Sequence, residues 1–412
     1  MMIRKLSLFS LVAFIAVAVA CGGGSEMESM PADEPVTDMA PGPTTGDGAP
    51  MFEVDPFWPK TLPNNWLLGS TIGVAVDSRD HVWVVHRGNL GANEMPAALD
   101  PPFAEECCHP APPILEFDPE GNLVGHWGGP GEGYDWPESN HGIAVDSMDN
   151  VWIGGNGGTD SHVLKFTRAG EFLLQVGEHD HEGPDSLSTT RYSQVAKVRY
   201  EPAANEVYIA DGYGNRRVAV VDADTGELKR FWGAYGNEPN DDELPRYDLA
   251  NAPAHGTVST DMSGDPQFRN PVHCADPTTD GLVYACDRPG NRVQVFTTEG
   301  EFVEEIYLAT KTLGSGSVWD IAFSRDDDQT FAYVADGVNQ QVHVLRRKPL
   351  EYLYSFGSGG RMSGQFFGTH SLEVDSQGNI YTTETFEGKR VQKFRYVGMG
   401  NPSGNVGVPW PQ

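Results

Sequence analysis

Three histidines recur at one position of a repeated pattern. His141 stands eleven residues before Trp152, His273 eleven before Tyr284, and His370 eleven before Tyr381. Each aromatic lies in an alternating apolar run of the kind that forms strands. In the intervening copies the same position is apolar: Ile72, eleven before Trp83, and, allowing a gap, Ala196 and Trp319. A lone histidine on a strand is ordinarily structural. Three at one register, on alternate copies only, form a ligand set, because three imidazoles with an open fourth position make a catalytic type of zinc site. The other nine of the twelve histidines share no register and read as surface or local packing.

The ends of the second strands carry the rest of the chemistry. They read Val85-His86-Arg87-Gly88, Ala210-Asp211-Gly212-Tyr213 and Cys286-Asp287-Arg288. In an antiparallel hairpin the start of one strand lies beside the end of the next. Arg87, Tyr213 and Arg288 are therefore expected on the same edge as the histidines. Singly, each has an ordinary role, an arginine as partner to an acid and a tyrosine as a cap. Together they offer two cations and a phenol around a metal.

These residues must be positioned by the repeat itself. Copies run over 72–88, 141–156, 196–222, 270–296, 319–345 and 370–394, with Phe/Trp-Gly turns such as 126–129, 231–233 and 356–360 between them. Short alternating strands with turn signals every ~8–12 residues, at a period of ~40–50, mean a β-propeller. The expected fold is all-β, a six-bladed propeller with four antiparallel strands per blade. Innermost strands line the central channel, so the three histidines should converge there. Met51–Trp58 alternates ahead of blade one and is expected to pair as the outermost strand of blade six, closing the ring.

Residues 1–21 have a basic start (Arg4, Lys5), an apolar run and small residues before Cys21. This is a secretion signal, and Ala18-Val19-Ala20-Cys21 is similar to a bacterial lipobox with Cys21 as the lipidated residue. The divisions are then a lipoprotein-type signal peptide at 1–20, a Gly-, Pro- and acid-rich tether at 21–50, the propeller at 51–400 and a tail at 401–412. The expected product is an extracytoplasmic monomer that touches a membrane through its lipid alone. A disulfide is permitted in that compartment, and Cys274 and Cys286 lie on paired strands where they can bridge. Cys107-Cys108-His109 also invites a metal, but adjacent cysteines rarely ligate one ion together. The net charge of -30 argues against nucleic acid, which needs a basic footprint.

The copies resemble NHL repeats, in the form Pro-x-x-apolar-x-apolar-Asp, apolar-Tyr-apolar-Ala-Asp, Asn-x-Arg-apolar-x-x-Phe, over roughly residues 66–396. The set HRG, HGI, ADGYGNRR, PVH with CDRPGNRVQVF, and HSL further resembles the peptidylamidoglycolate lyase family, six-bladed propellers with a three-histidine zinc site. The resemblance implies zinc on His141, His273 and His370, active-site arginines at Arg87 and Arg288, and an active-site tyrosine at Tyr213. It implies cleavage of an α-hydroxyglycine (carbinolamide) C–N bond, on a peptide or small molecule, to an amide and glyoxylate. It also implies a structural calcium held by the carbonyls of Val74 and Ile143. Two departures bear on this: Gly368 replaces a methionine two residues before the last zinc histidine, and Ser371 replaces the aspartate that follows it and helps bind calcium. The copper-binding histidines of a partner monooxygenase have no counterpart in the chain, so a hydroxylated substrate would be made elsewhere. The alternative is a non-catalytic NHL propeller that binds protein or peptide on the channel face. A lactonase-type propeller hydrolase fits less well, since it needs a carboxylate-rich calcium centre where this channel carries histidines.

Overall fold

The structure, a computed structural model, describes residues 48–91, 108–180 and 183–411. Six sheets of antiparallel strands form the six blades. Blade one is built from Thr71–Val76, Val82–His86, Ile114–Phe117 and Leu123–Trp127, and blade two from Asn140–Val145, Val151–Gly155, His162–Phe166 and Phe172–Gly177. Blade three uses Lys197–Glu201, Glu206–Asp211, Arg217–Asp222 and Leu228–Trp232. Blade four uses Val272–Pro277, Leu282–Asp287, Arg292–Thr297 and Phe302–Tyr307, with Val258–Ser259 added at its outer edge. Blade five uses Asp320–Phe323, Phe331–Asp336, Gln341–Arg347 and Leu350–Phe356. In blade six, Thr369–Val374, Ile380–Glu384 and Arg390–Gly400 are completed by Ala49–Asp55 as the outermost strand. That closing strand begins at Ala49, inside the segment assigned to the tether. Beyond it, Asn405–Val406 of the tail adds a short parallel strand to blade five.

The repeated residues have identifiable tasks. Asp77, Asp146 and Asp375 each accept backbone N–H bonds from the residues two and four positions on, closing the first hairpin of blades one, two and six. In the later blades the acid ending the second strand pairs with a base in the third, its first residue in three of the four: Asp211 with Arg217 at 2.8 Å, Asp287 with Arg292 at 2.8 Å and Glu384 with Arg390 at 2.8 Å, and, two residues further in, Asp336 with His343 at 3.0 Å. This is the physical content of the Ala-Asp … Asn-x-Arg signature.

The six second-strand aromatics, Trp83, Trp152, Tyr208, Tyr284, Tyr333 and Tyr381, are all buried. Six clusters of buried residues each lie between two successive blades. Burial therefore fixes the angle between neighbours, and the first strands pack side by side around the ring. Cys274 and Cys286 face each other across blade four and are joined in a disulfide, Cα–Cα 4.8 Å. Cys21, the signal segment and Cys107 lie outside the described residues. Cys108 is itself in a disulfide, which removes its thiolate from metal ligation.

Candidate active site

His141, His273 and His370 each lie at the start of an innermost strand, and their rings meet in the channel. Centroid separations are 5.2 Å for His141–His273 and 4.8 Å for each ring to His370. One nitrogen from each lies within 4.8 Å of the other two.

The apolar positions of the alternate blades hold them in place. His141 Nδ1 donates to the Ala196 carbonyl at 2.5 Å, and His273 Nδ1 donates to the Trp319 carbonyl. His370 faces the Ile72 carbonyl in the same sense, without regular hydrogen-bond geometry. A proton fixed on Nδ1 leaves the Nε2 lone pair for the channel. Burial, helped by the neighbouring imidazoles and guanidiniums, holds all three well below the ordinary histidine range. They are neutral at neutral pH, as metal ligation requires. The donor set fits zinc.

The Tyr213 hydroxyl stands over this cluster. It lies 3.2 Å from His141 Nε2 and 3.0 Å from His273 Nε2, and it accepts a hydrogen bond from Arg288 Nη1 at 3.1 Å. Asn270 fixes the loop behind it, its Nδ2 donating to the carbonyls of Gly212 through Asn215. The Arg288 guanidinium lies 4.5 Å from the Trp319 ring and 5.3 Å from the Tyr213 ring. Arg87 reaches in from blade one, donating through Nε to the Asn140 carbonyl at 3.3 Å and through Nη2 to Asn156 Oδ1 at 2.7 Å.

Neither guanidinium has a carboxylate partner among the described residues, in a chain with 58 acids. The contrast within the fold is direct. Arg217, Arg292 and Arg347 are buried and pair with Asp211, Asp287 and Asp280, whereas Arg288 is buried and pairs with none. A buried cation left without its acid is costly. A depression of about 300 Å³ adjoins Tyr213, bordered by Gln194, Arg216, Asp241 and Asn270.

At Gly368 (φ +76°) an added Cβ would lie 3.0 Å from the Phe386 ring, so this aromatic takes the place of a side chain there. Calcium does not fit the set around Val74 and Ile143. Ser371 brings a hydroxyl that donates to Asp320 at 2.5 Å, and the Lys197 ammonium lies against the same aspartate.

Two functional partners were missed in the sequence, Asn140 and Asn156, both holding Arg87. A register reveals the second: four residues beyond the second-strand aromatic stand Arg87, Asn156 and Arg288 in blades one, two and four.

No family model matches the chain. NHL repeat-containing protein 3 of Mus musculus is 24% identical over 366 residues, covering 84% of each chain. Peptidyl-alpha-hydroxyglycine alpha-amidating lyase 1 of Drosophila melanogaster is 24% identical over 376 residues, 84% of this chain and 60% of that protein. The peptidylglycine alpha-amidating monooxygenase of Rattus norvegicus is 27% identical over 60% of this chain, which spans only 23% of that longer protein. A streptogramin B lyase structure superposes over 84% of the chain with a TM-score of 0.44 at 14% identity, a level that bears on neither reaction nor ligand. The sequence relatives support an NHL-repeat propeller.

Proposed function

We propose that this propeller is a zinc-dependent carbon–nitrogen lyase that splits an α-hydroxyglycine, R–CO–NH–CH(OH)–COO⁻, into the amide R–CO–NH₂ and glyoxylate. One observation carries the reading: the hydroxyl of Tyr213 meets two of three clustered neutral imidazoles, His141 and His273, and the guanidinium of Arg288, which has no acid partner among the described residues. The fly relative named as an α-hydroxyglycine lyase, matched over 84% of this chain, supports it.

The residues divide the work as follows. His141, His273 and His370 would hold the metal, and zinc bound there would act as a Lewis acid on the substrate hydroxyl oxygen. Tyr213 takes the hydroxyl proton. The O–H pair becomes the C=O of glyoxylate, the C–N pair leaves on nitrogen, and Tyr213 returns its proton to that nitrogen. Arg288, bonded to the tyrosine oxygen, stabilises the phenolate. Arg87 has Nη1 without a protein partner among the described residues and clamps the substrate carboxylate. The depression beside Tyr213 receives the acyl group.

The test is glyoxylate release by the zinc-loaded protein from a small N-acyl-α-hydroxyglycine and from an α-hydroxyglycine-extended peptide. His273→Ala should lose metal and activity together. Tyr213→Phe should keep the metal and lose ~10²-fold or more in rate. A folded, zinc-loaded protein that releases glyoxylate from neither substrate defeats the lyase reading and leaves a non-catalytic propeller that binds peptide at the same face.

A further inference from the structure

Below the histidines the channel holds a second set of charges that the proposed reaction does not use. Lys197 follows Ala196, whose carbonyl orients His141, and it is buried. Its ammonium donates to Asp276 Oδ1 at 2.9 Å, to Asp320 Oδ1, and to the Ile321 carbonyl at 3.3 Å. Arg199, on the same face of the same strand, lies 3.4 Å from Asp276 Oδ1 and pairs with Glu373. Arg325 holds the other oxygen of Glu373 at 3.1 Å. Three carboxylates thus face three cations, with Lys197 and Arg199 from blade three, Asp276 from blade four, Asp320 from blade five and Glu373 from blade six.

This is the level at which the sequence resemblance calls for calcium. One small cavity is bordered by Ile143, Lys197, Asp320 and Ser371, with His273 and His370 above. Calcium takes about six to eight oxygen ligands, carboxylates among them. Here both oxygens of Asp320 are already engaged: Oδ1 by Lys197, Oδ2 by Ser371 Oγ at 2.5 Å and Leu372 N at 3.1 Å. Asp276 Oδ1 is held by Lys197 and Arg199, which leaves Asp276 Oδ2 as the cluster's buried oxygen without a donor. A further divalent charge would be buried without compensation in a cluster that is already neutral.

The geometry points to Lys197 as the resident cation of this channel: its ammonium replaces a structural calcium and ties the inner strands of blades three, four and five by the chain's own charge. Lys197→Ala then exposes two carboxylates and the Ile321 carbonyl to a vacated space, and so creates a calcium site. Thermal melts of full-length protein, zinc-loaded and freed of other divalent ions, with and without added calcium chloride, test this. The wild type should melt at one temperature in both. Lys197→Ala should melt lower without calcium and recover several degrees with it. A folded Lys197→Ala that ignores calcium overturns the proposal. If that variant does not fold, elemental analysis of wild type equilibrated with calcium decides: no stoichiometric calcium supports the proposal, and one ion retained per chain refutes it. Ser371→Asp, which adds a carboxylate but keeps the lysine, should also stay calcium-free, and calcium uptake by it alone would mean that Ser371, not Lys197, decides. None of these readouts depends on glyoxylate, so the outcome stands apart from that of the lyase reading.

Discussion

Arg288→Met removes a guanidinium that is 8% exposed, lacks a carboxylate partner among the described residues and has Nε without an acceptor. An unsatisfied buried donor costs ~1–3 kcal/mol, and an unpaired buried charge adds a penalty of several kcal/mol more. Against this stand a charged hydrogen bond to Tyr213, worth ~1.5–3 kcal/mol, and stacking over Trp319 and Tyr213 at ~0.5–1 kcal/mol each. Methionine keeps much of that packing through its polarizable thioether. The balance favours the variant by about 1 kcal/mol, or a rise of ~2 °C in melting temperature for a chain of this size. Loss of a preorganised donor at the reacting centre should meanwhile lower the rate by ~10²-fold or more. Melts of the metal-free protein, beside glyoxylate assays of the zinc-loaded protein, measure both. A melting temperature lower by more than ~5 °C would show that Arg288 serves the fold, and the inference from its missing acid would fail.

Acid should destabilise the metal-free protein earlier than an ordinary β-protein. The folded-state pKa values of the three channel histidines lie below their unfolded value of 6.5, so their stabilisation is complete above pH 6.5 and is lost as pH falls toward the folded values. Each contributes a slope of up to ~1.4 kcal/mol per pH unit, and Asp276, pushed up to about 6 by burial, offsets one of them. Denaturant melts between pH 7 and 5 should show the fall, zinc should suppress it, and a flat profile would refute neutral burial. Deleting 49–55 exposes the edge of blade six and removes Phe52 and Val54 from the core, at least ~3 kcal/mol from these two side chains alone. An unchanged melting temperature would place ring closure elsewhere. Cys21→Ser should release the protein from the membrane fraction, and unaltered fractionation would remove the anchor.

The ring was legible because strand period and turn chemistry repeat, and because side chains at one register must share one face. The same logic brought His141, His273 and His370 together on paper. What the sequence hid is carried by backbone or by distant partners. Ile72, Ala196 and Trp319 read as mere apolar gaps between histidines, yet the carbonyls of Ala196 and Trp319 set the tautomers of their neighbours, a task blind to side-chain type. Lys197 and Asp320 are 123 residues apart and meet only once the ring closes. Val258–Ser259 and Asn405–Val406, two residues each, are too short for periodicity to register.

The histidine–carbonyl pairing changes what counts as the module of this protein. Blade two supplies His141 and blade three its carbonyl, and blade four supplies His273 and blade five its carbonyl. Blade six places His370 beside the Ile72 carbonyl of blade one. The folding repeat is one blade, but the chemical repeat is two, and the channel has the local symmetry of a three-membered ring. A two-blade fragment spanning blades four and five carries a histidine, its orienting carbonyl and both kinds of lateral face. Three copies of such a fragment, joined or merely associated, would close with threefold symmetry around a three-imidazole centre.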